Sequence, residues 1–216
     1  MNRVSRPGPH HAGTTGSAEH EAILLAGGRS AQQRSGPDVE FLPLAGRRLV
    51  SRALASLTEE TGVSHVAIAV HESDMATAQS ALARGAVGIS YELVPTGLST
   101  QQTVHLALEA LAERIEGGAY EMVLVHDSAM PLVPPHLVRN VIAAAQRWGS
   151  AVPYLGIDDY VWIDRMGAAL RFSGNNDQIQ VQSPQAFRAD DLLHAYRGSA
   201  AEGFLVGTAT EAVERY

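Results

Sequence analysis

From residue 22 onward the chain repeats one theme: a short apolar run, a turn, then a stretch whose apolar residues recur every three or four positions. Apolar runs of four to eight residues suit strands buried on both faces, and the 3.6-residue period suits the helices that cover them. Few folds are written this way. The pattern predicts an α/β fold, a doubly wound and mostly parallel sheet with helices on both sides. Strands are expected at 22–25, 63–70, 89–94, 122–125 and 151–157, and helices at 48–57, 74–83, 100–115 and 134–148. Leu49, Ala53 and Leu57 share one face of the first helix; Val104, Leu108, Leu111 and Ile115 share one face of the third. Pro134 and Pro135 open the fourth, where a missing N–H does no harm. Between 160 and 182, turn signals at Arg165-Met166-Gly167 and Ser173-Gly174-Asn175-Asn176 predict a protruding β-arm. Residues 183–187 then read as a loop that leads into a short helix over 190–196.

The 216 residues, 45% of them hydrophobic and 18% charged, are enough for one sizeable core. Residues 21–216 are expected to form a single domain. Residues 1–20 are rich in Gly, Ser, Thr, Pro and His and lack an apolar stretch, which predicts a flexible tail with His10, His11 and His20 in solvent. A formal net charge of −7 argues against nucleic acid or an anionic membrane surface as partner, since both require a basic face. No stretch has the length and apolarity of a spanning helix. The absence of cysteine excludes disulfides, thiolate metal sites and a cysteine nucleophile, and suits a reducing cytoplasm. All 16 residues of the Lys plus Arg count are arginine. A flat guanidinium fork clamps phosphate, but it does not reproduce the compact, rotatable ammonium of lysine at a tight phosphoryl-transfer site.

Three segments can carry chemistry. The turn Ala26-Gly27-Gly28-Arg29-Ser30 follows the first strand, where free backbone N–H groups could cradle a phosphate and Arg29 could pair with it. Glycine pairs after strands are also ordinary turn punctuation. In Val123-Leu124-Val125-His126-Asp127 a carboxylate emerges at the carboxyl end of a buried strand, the edge where open α/β sheets bind ligands. Asp127 there either holds Mg²⁺ against a nucleotide phosphate or caps the following turn. His126 reads as a packed, hydrogen-bonded histidine. In Ser183-Pro184-Gln185-Ala186-Phe187, Ser183 and Gln185 offer a hydroxyl and an amide to a ligand, although the string alone is that of a common loop.

In this order the segments resemble the cytidylyltransferases that join CTP to methylerythritol phosphate, and the related ribitol-phosphate enzymes. V-L-V-H-D-S-A-M-P at 123–131 is similar to the family's V-L-V-H-D-A-A-R-P, and S-P-Q-A-F at 183–187 to its T-P-Q-x-F. Ala26-Gly27-Gly28, with Phe41-Leu42-Pro43-Leu44-Ala45-Gly46 after it, resembles the family's nucleotide loop and the following strand-turn. The resemblance implies a Rossmann-like nucleotidyltransferase fold whose arm embraces a second subunit, a homodimer or a pairing with an active relative. It implies attack of a substrate phosphate on the α-phosphate of CTP, with Mg²⁺ at Asp127, cations around the phosphates and pyrophosphate leaving. Where the family carries its cations, this chain has Ala31, the acids of Pro37-Asp38-Val39-Glu40-Phe41, Thr100, Met130, Trp162 and Asn175. Ala209-Thr210-Glu211-Ala212 stands for its T-D-E-A, and the family continues beyond Tyr216 through a further strand and helix. Each preorganised donor is worth ~3 to 4 kcal/mol of transition-state stabilisation. These departures lead to the expectation of a member that has lost the reaction and serves as a binding or scaffold subunit. The alternatives are a divergent, active Mg²⁺-dependent nucleotidyltransferase using Asp127, Arg29 and Arg34, and a binding module for a non-phosphate ligand built on Tyr160, Trp162 and Met130.

Overall fold

The computed structural model describes residues 19–27, 39–59, 61–83, 89–156, 159–163, 169–173, 179–204 and 206–216. In chain order it forms β1 (His20–Ala26), β2 (Pro43–Leu44), β3 (Arg47–Arg48), α1 (Leu49–Thr58), β4 (Val63–Val70), α2 (Met75–Ala83) and β5 (Ser90–Pro95). It continues through α3 (Thr100–Glu116), β6 (Met122–Asp127), α4 (Pro135–Trp148), β7 (Ser150–Ala151), β8 (Tyr154–Gly156), β9 (Asp159–Ile163) and β10 (Ala169–Ser173). It closes with β11 (Ile179–Val181), β12 (Gln185–Arg188), α5 (Ala189–Glu202) and α6 (Ala209–Arg215).

Six strands build the central sheet in the order β5-β4-β1-β6-β12-β7. β1 lies between parallel neighbours β4 and β6, and β5 extends the parallel set. β12 runs antiparallel to both β6 and β7. Alternate residues of β1 serve opposite faces. Leu24 packs with Val50, Leu54 and Leu57 of α1, Leu82 of α2 and Ile142 of α4. Ile23 faces the other layer, with Leu108 and Leu111 of α3, Leu192 of α5 and Ala212 of α6. Each fully buried leucine contributes about 1.5–3 kcal/mol relative to an exposed one, so these two layers hold the sheet. This is the doubly wound, mostly parallel α/β sheet that the sequence predicts. No helix among the described residues is long and apolar enough to cross a membrane.

Local chemistry sets the element ends. Ser99 caps α3 by accepting the Gln102 N–H. The β2–β3 turn places Ala45 and Gly46 at φ 47° and 79°, the left-handed pair that matches a tight hairpin to strand twist.

The structure corrects the sequence reading in four places. The run 151–157 is not one strand. β7 joins the central sheet, Pro153 has no N–H for a ladder, and β8 instead pairs antiparallel with β11 at the base of the arm. The expected loop at 183–187 gives way at Gln185 to β12, with Ala186 and Phe187 buried against β6; four residues behind a proline carry too little period to be recognised. α5 runs to Glu202 instead of 196, and α6 follows it. His20 is not a solvated tail residue. It starts β1, 5% exposed, because the strand continues two residues before its apolar run and its N–H bonds to Gly62 O at 3.0 Å. His10 and His11 lie outside the described residues. β9 and β10 form the antiparallel ribbon of the expected arm. At Tyr160 and Trp162 the description covers the backbone alone.

Candidate active site

The chain leaves β1 for β4 and β5 on one side and returns to β6 on the other. This reversal opens a crevice beyond the carboxyl ends of β1 and β6, where open α/β sheets bind ligands. Two cavities occupy it. One of about 490 Å³ is lined by Gly27, His71, Thr103 and the loop 96–99. The other, about 230 Å³, is lined by His126, Met130, Ser183, Gln185, Tyr196 and Thr208 among others. Leu25, Thr100 and Asp127 line both, so the cleft has two lobes with Asp127 in the shared wall. A separate cavity of about 520 Å³ lies between the β2–β3 hairpin and α1 and α2, away from this edge.

The larger lobe is shaped by a stapled loop. Gly97 N–H donates to Thr103 Oγ1 at 2.9 Å and Leu98 N–H to Gln102 Oε1 at 2.7 Å. Thr103 Oγ1 in turn donates to Ser99 O at 2.9 Å. The first turn of α3 thereby holds the loop that precedes it, while the N–H groups of Thr100 and Gln101 keep no partner among the described residues. Such an end of a helix favours anions. Opposite it, a Cβ on Gly27 would sit 2.4 Å from Thr96 Cγ2, so only glycine lets β1 end this close to the loop.

Asp127 closes a turn. Its Oδ1 accepts the Ala129 N–H at 2.9 Å and its carbonyl the Met130 N–H at 3.0 Å. The cap reading is therefore realised, and the second carboxylate oxygen remains for a ligand. No group of three or more His, Cys, Asp or Glu side chains among the described residues could hold a metal. This donor set fits Mg²⁺, which is held by one or two carboxylates together with substrate phosphates and water, and does not fit a metal caged by protein alone.

In the smaller lobe, His126 is fully buried. Its Nε2 lies 3.1 Å from Met130 O and its Nδ1 2.9 Å from Ser183 Oγ. Burial pushes its pKa down to about 4, against the opposing effects of the Met130 carbonyl and the Asp127 charge, so the ring is neutral at pH 7. Ser183 Oγ also receives the Asp127 N–H at 3.3 Å. Gln185 begins β12 opposite Val125 and lines the same lobe.

Of the residues expected from sequence, Gly27, Asp127, Ser183 and Gln185 line one cleft, and Ala26 is buried at the end of the strand that reaches it. Gly28, Arg29, Arg34, Ala31, Asp38 and Asn175 lie outside the described residues. Glu40, expected to repel a triphosphate, is buried in the turn Val39–Phe41 and lines neither lobe. Glu211 is occupied in accepting the Gly207 N–H at 2.6 Å beside the α6 cap. Sequence reasoning missed His71, Thr96, Gln101, Thr103, Tyr196 and Thr208. The usable signal was Ser99-x-x-Gln102, a capping pattern that marks the start of α3 and hence the loop before it.

Comparison with known proteins places the chain. The pattern of the 2-C-methyl-D-erythritol 4-phosphate cytidylyltransferase family matches residues 21–216. The chain belongs to this family. An enzyme of that name from Cereibacter sphaeroides is 36% identical over 195 residues, covering 87% of this chain and 82% of the relative. A bifunctional IspD/IspF enzyme of Nitrobacter hamburgensis is 32% identical over 84% of this chain and 44% of its own length. The fold matches 4-diphosphocytidyl-2C-methyl-D-erythritol synthase from Anaerococcus prevotii (TM-score 0.72, 19% identity, 92% of this chain and 82% of that one). It also matches the Thermus thermophilus cytidylyltransferase (TM-score 0.66, 24% identity, 90% and 83%).

These relatives overturn the expectation of a subunit that has lost the reaction. Relatives 36% identical across most of the chain carry the enzyme's name, and the family pattern spans the whole domain. The expectation counted cations by position in the string. Electrostatic stabilisation depends on where charge lies in space, and a cation displaced along the chain can serve the same phosphate.

Proposed function

We propose that this protein is an active, Mg²⁺-dependent cytidylyltransferase. It transfers the cytidylyl group of CTP to a polyol phosphate of the 2-C-methyl-D-erythritol 4-phosphate class. The observation that carries the reading is the two-lobed cleft at the β1/β6 switch point with Asp127 in its shared wall. The larger lobe has the room and the helix end for a nucleotide, and the smaller one suits a short polyol chain. An oxygen of the acceptor phosphate attacks the α-phosphorus of CTP, the bond to the bridging oxygen of the β-phosphate breaks, and pyrophosphate leaves with that electron pair. Gly27 lets the nucleotide approach the backbone, and the Thr100 and Gln101 N–H groups face its negative charge. Asp127 would hold Mg²⁺, which offsets charge on the phosphates during transfer. Arg29, beside Gly28, is the proposed phosphate partner. Ser183 and Gln185 contact the acceptor.

The reading extends to a pair of identical subunits. The β8–β11 ribbon exposes Tyr154, Leu155, Ile179 and Val181, all large apolar side chains on neighbouring strands. An apolar surface of this kind favours a partner, and Val181 and Gln182 also line the smaller lobe, so a second copy seated there would help close it.

Pyrophosphate release in the presence of Mg²⁺, CTP and 2-C-methyl-D-erythritol 4-phosphate tests the reading. Release is expected to require all three. Release no greater than that of Asp127→Ala protein would overturn it.

A further inference from the structure

We propose that His126 is a positioning residue that turns Ser183 into a hydrogen-bond acceptor toward the cleft. The smaller lobe then meets a hydroxyl of the substrate's polyol chain at Ser183, and not a phosphate oxygen. The substrate class rests on the cytidylyltransferase reading; the hydrogen-bond polarity does not.

Met130 O, 3.1 Å from His126 Nε2, is a carbonyl and can only accept. Nε2 therefore carries the hydrogen. This fully buried ring, whose partners are a carbonyl and a hydroxyl, meets no counter-charge within hydrogen-bond reach among the described residues, so it holds a single proton and Nδ1 is a bare lone pair. Ser183 Oγ, 2.9 Å from Nδ1, must then donate to it. The competing acceptor, Met130 Sδ at 3.5 Å, is weaker and farther. With its only proton committed, Ser183 Oγ receives the Asp127 N–H at 3.3 Å on one lone pair. Its other lone pair is what the cleft can use. An unprotonated phosphate oxygen brings only lone pairs to that position, whereas an alcohol brings a hydrogen. Gln185 lines the same lobe with no hydrogen bond from its side chain within the described residues, which leaves its amide for a second hydroxyl. The polarity thus orients the acceptor, with its hydroxyls toward Ser183 and its phosphate toward Asp127 and the nucleotide.

Two measurements test this. In ¹⁵N spectra of the histidine side chains, His126 should show a protonated Nε2 and an unprotonated, hydrogen-bonded Nδ1, and Ser183→Ala should move only the Nδ1 resonance. A proton on Nδ1 overturns the proposal whether or not the protein turns over CTP. In the pyrophosphate assay, Ser183→Ala and His126→Leu should raise KM for the polyol phosphate about tenfold and leave KM for CTP within about twofold. His126→Asn, which keeps an acceptor oxygen near the Nδ1 position, should recover most of that loss. Equal changes in both KM values, or no rescue by Asn, would mean that His126 is only structural. An unchanged acceptor KM in Ser183→Ala, with the expected spectrum, would overturn the ligand half of the proposal. Wild-type protein with no turnover would sink the cytidylyltransferase reading and leave the spectrum to decide the polarity alone.

Discussion

His65 and His126 are buried near opposite ends of one sheet, and each has a serine hydroxyl at Nδ1, Ser90 at 2.8 Å and Ser183 at 2.9 Å. They differ in what stands at Nε2 and beyond. His65 Nε2 meets the Glu92 carboxylate at 3.2 Å, and its register neighbour on β1 is Glu21. Glu21 is fully buried, with both carboxylate oxygens lacking a hydrogen-bond partner among the described residues. His126 Nε2 meets a backbone carbonyl, and its serine opens onto a cavity. The amino-terminal edge of the sheet therefore buries titratable groups away from any cavity described above, and the carboxyl-terminal edge turns its polar groups toward the cleft. Ser128 Oγ, buried beside Asp127 without a partner among the described residues, is an exception at that second edge.

The largest expected effect lies at the cleft edge. Asp127→Ala should lower kcat by about two to three orders of magnitude, the scale of a lost electrostatic contact at a reacting phosphate. Its folding stability should fall by only about 1 kcal/mol, the value of one cap. Chemical denaturation beside the pyrophosphate assay measures both. A stability loss as large as the activity loss would break the division between the two edges.

Glu21→Gln tests the opposite edge. Burial raises the Glu21 pKa from 4.5 to about 8, with Arg114 opposing and Glu92 adding to the rise. Below about pH 4.5 folded and unfolded chains both hold the proton; between 4.5 and 8 only the folded chain does. Stability from this group is thus fully present at low pH and is lost as pH rises through about 8. The neutral isostere should remove that decline, making the variant more stable than wild type at pH 9 by on the order of 5 kcal/mol. The acid limb should persist. Burial lowers the pKa of His20 and of His65, so the unfolded chain takes up protons first as pH falls below 6.5. Thermal melts from pH 5 to 9 would show both limbs, and an unchanged alkaline limb in the variant would mean that Glu21 is ionised in the folded state.

The same contrast explains what was legible in the sequence. Long-period apolar patterning gave the layers, because α3 repeats Val104, Leu108, Leu111 and Ile115 over about three turns and all four are buried. The sheet's antiparallel member was hidden, since β12 has four residues and its place beside β6 is a tertiary fact. At the cleft, Gly27 and Asp127 were readable as strand-end chemistry, and Ser183 and Gln185 as a hydroxyl and an amide on a loop. Gln101, Thr103 and Tyr196 were not, because their role depends on which loop or helix they meet, and the string does not show that. Counting absent cations misled for the same reason: charge was tallied by matched position, whereas the field at a phosphate depends on spatial arrangement.

Gln102→Ala probes whether the stapled loop belongs to the ligand edge. Losing the bond from Leu98 N–H and the packing that holds Gly97 should cost about 1 kcal/mol of stability. KM for CTP should rise several-fold with kcat little changed, since the loop lines the larger lobe and does not touch the reacting bond. A change confined to the acceptor's KM would reassign the lobes.

The smallest effect should come from Thr208→Ala. Thr208 Oγ1 accepts the Glu211 N–H at 3.0 Å, and Glu211 Oε2 reaches back to Gly207 N–H at 2.6 Å, a reciprocal cap at the start of α6. Removing it should cost about 1 kcal/mol by denaturation. Yet Gly207 O is also held by Gln101 Nε2 at 2.8 Å, and Gln101 Oε1 accepts the Tyr196 hydroxyl, so the α6 cap is tied to the first turn of α3. Thr208 itself lines the smaller lobe. If the ligand edge is as sharply organised as His126 implies, this remote cap should move KM for the acceptor by about twofold while KM for CTP stays fixed. Equal movement of the two would show that α6 stabilises the domain as a whole and that the ligand edge ends at Ser183.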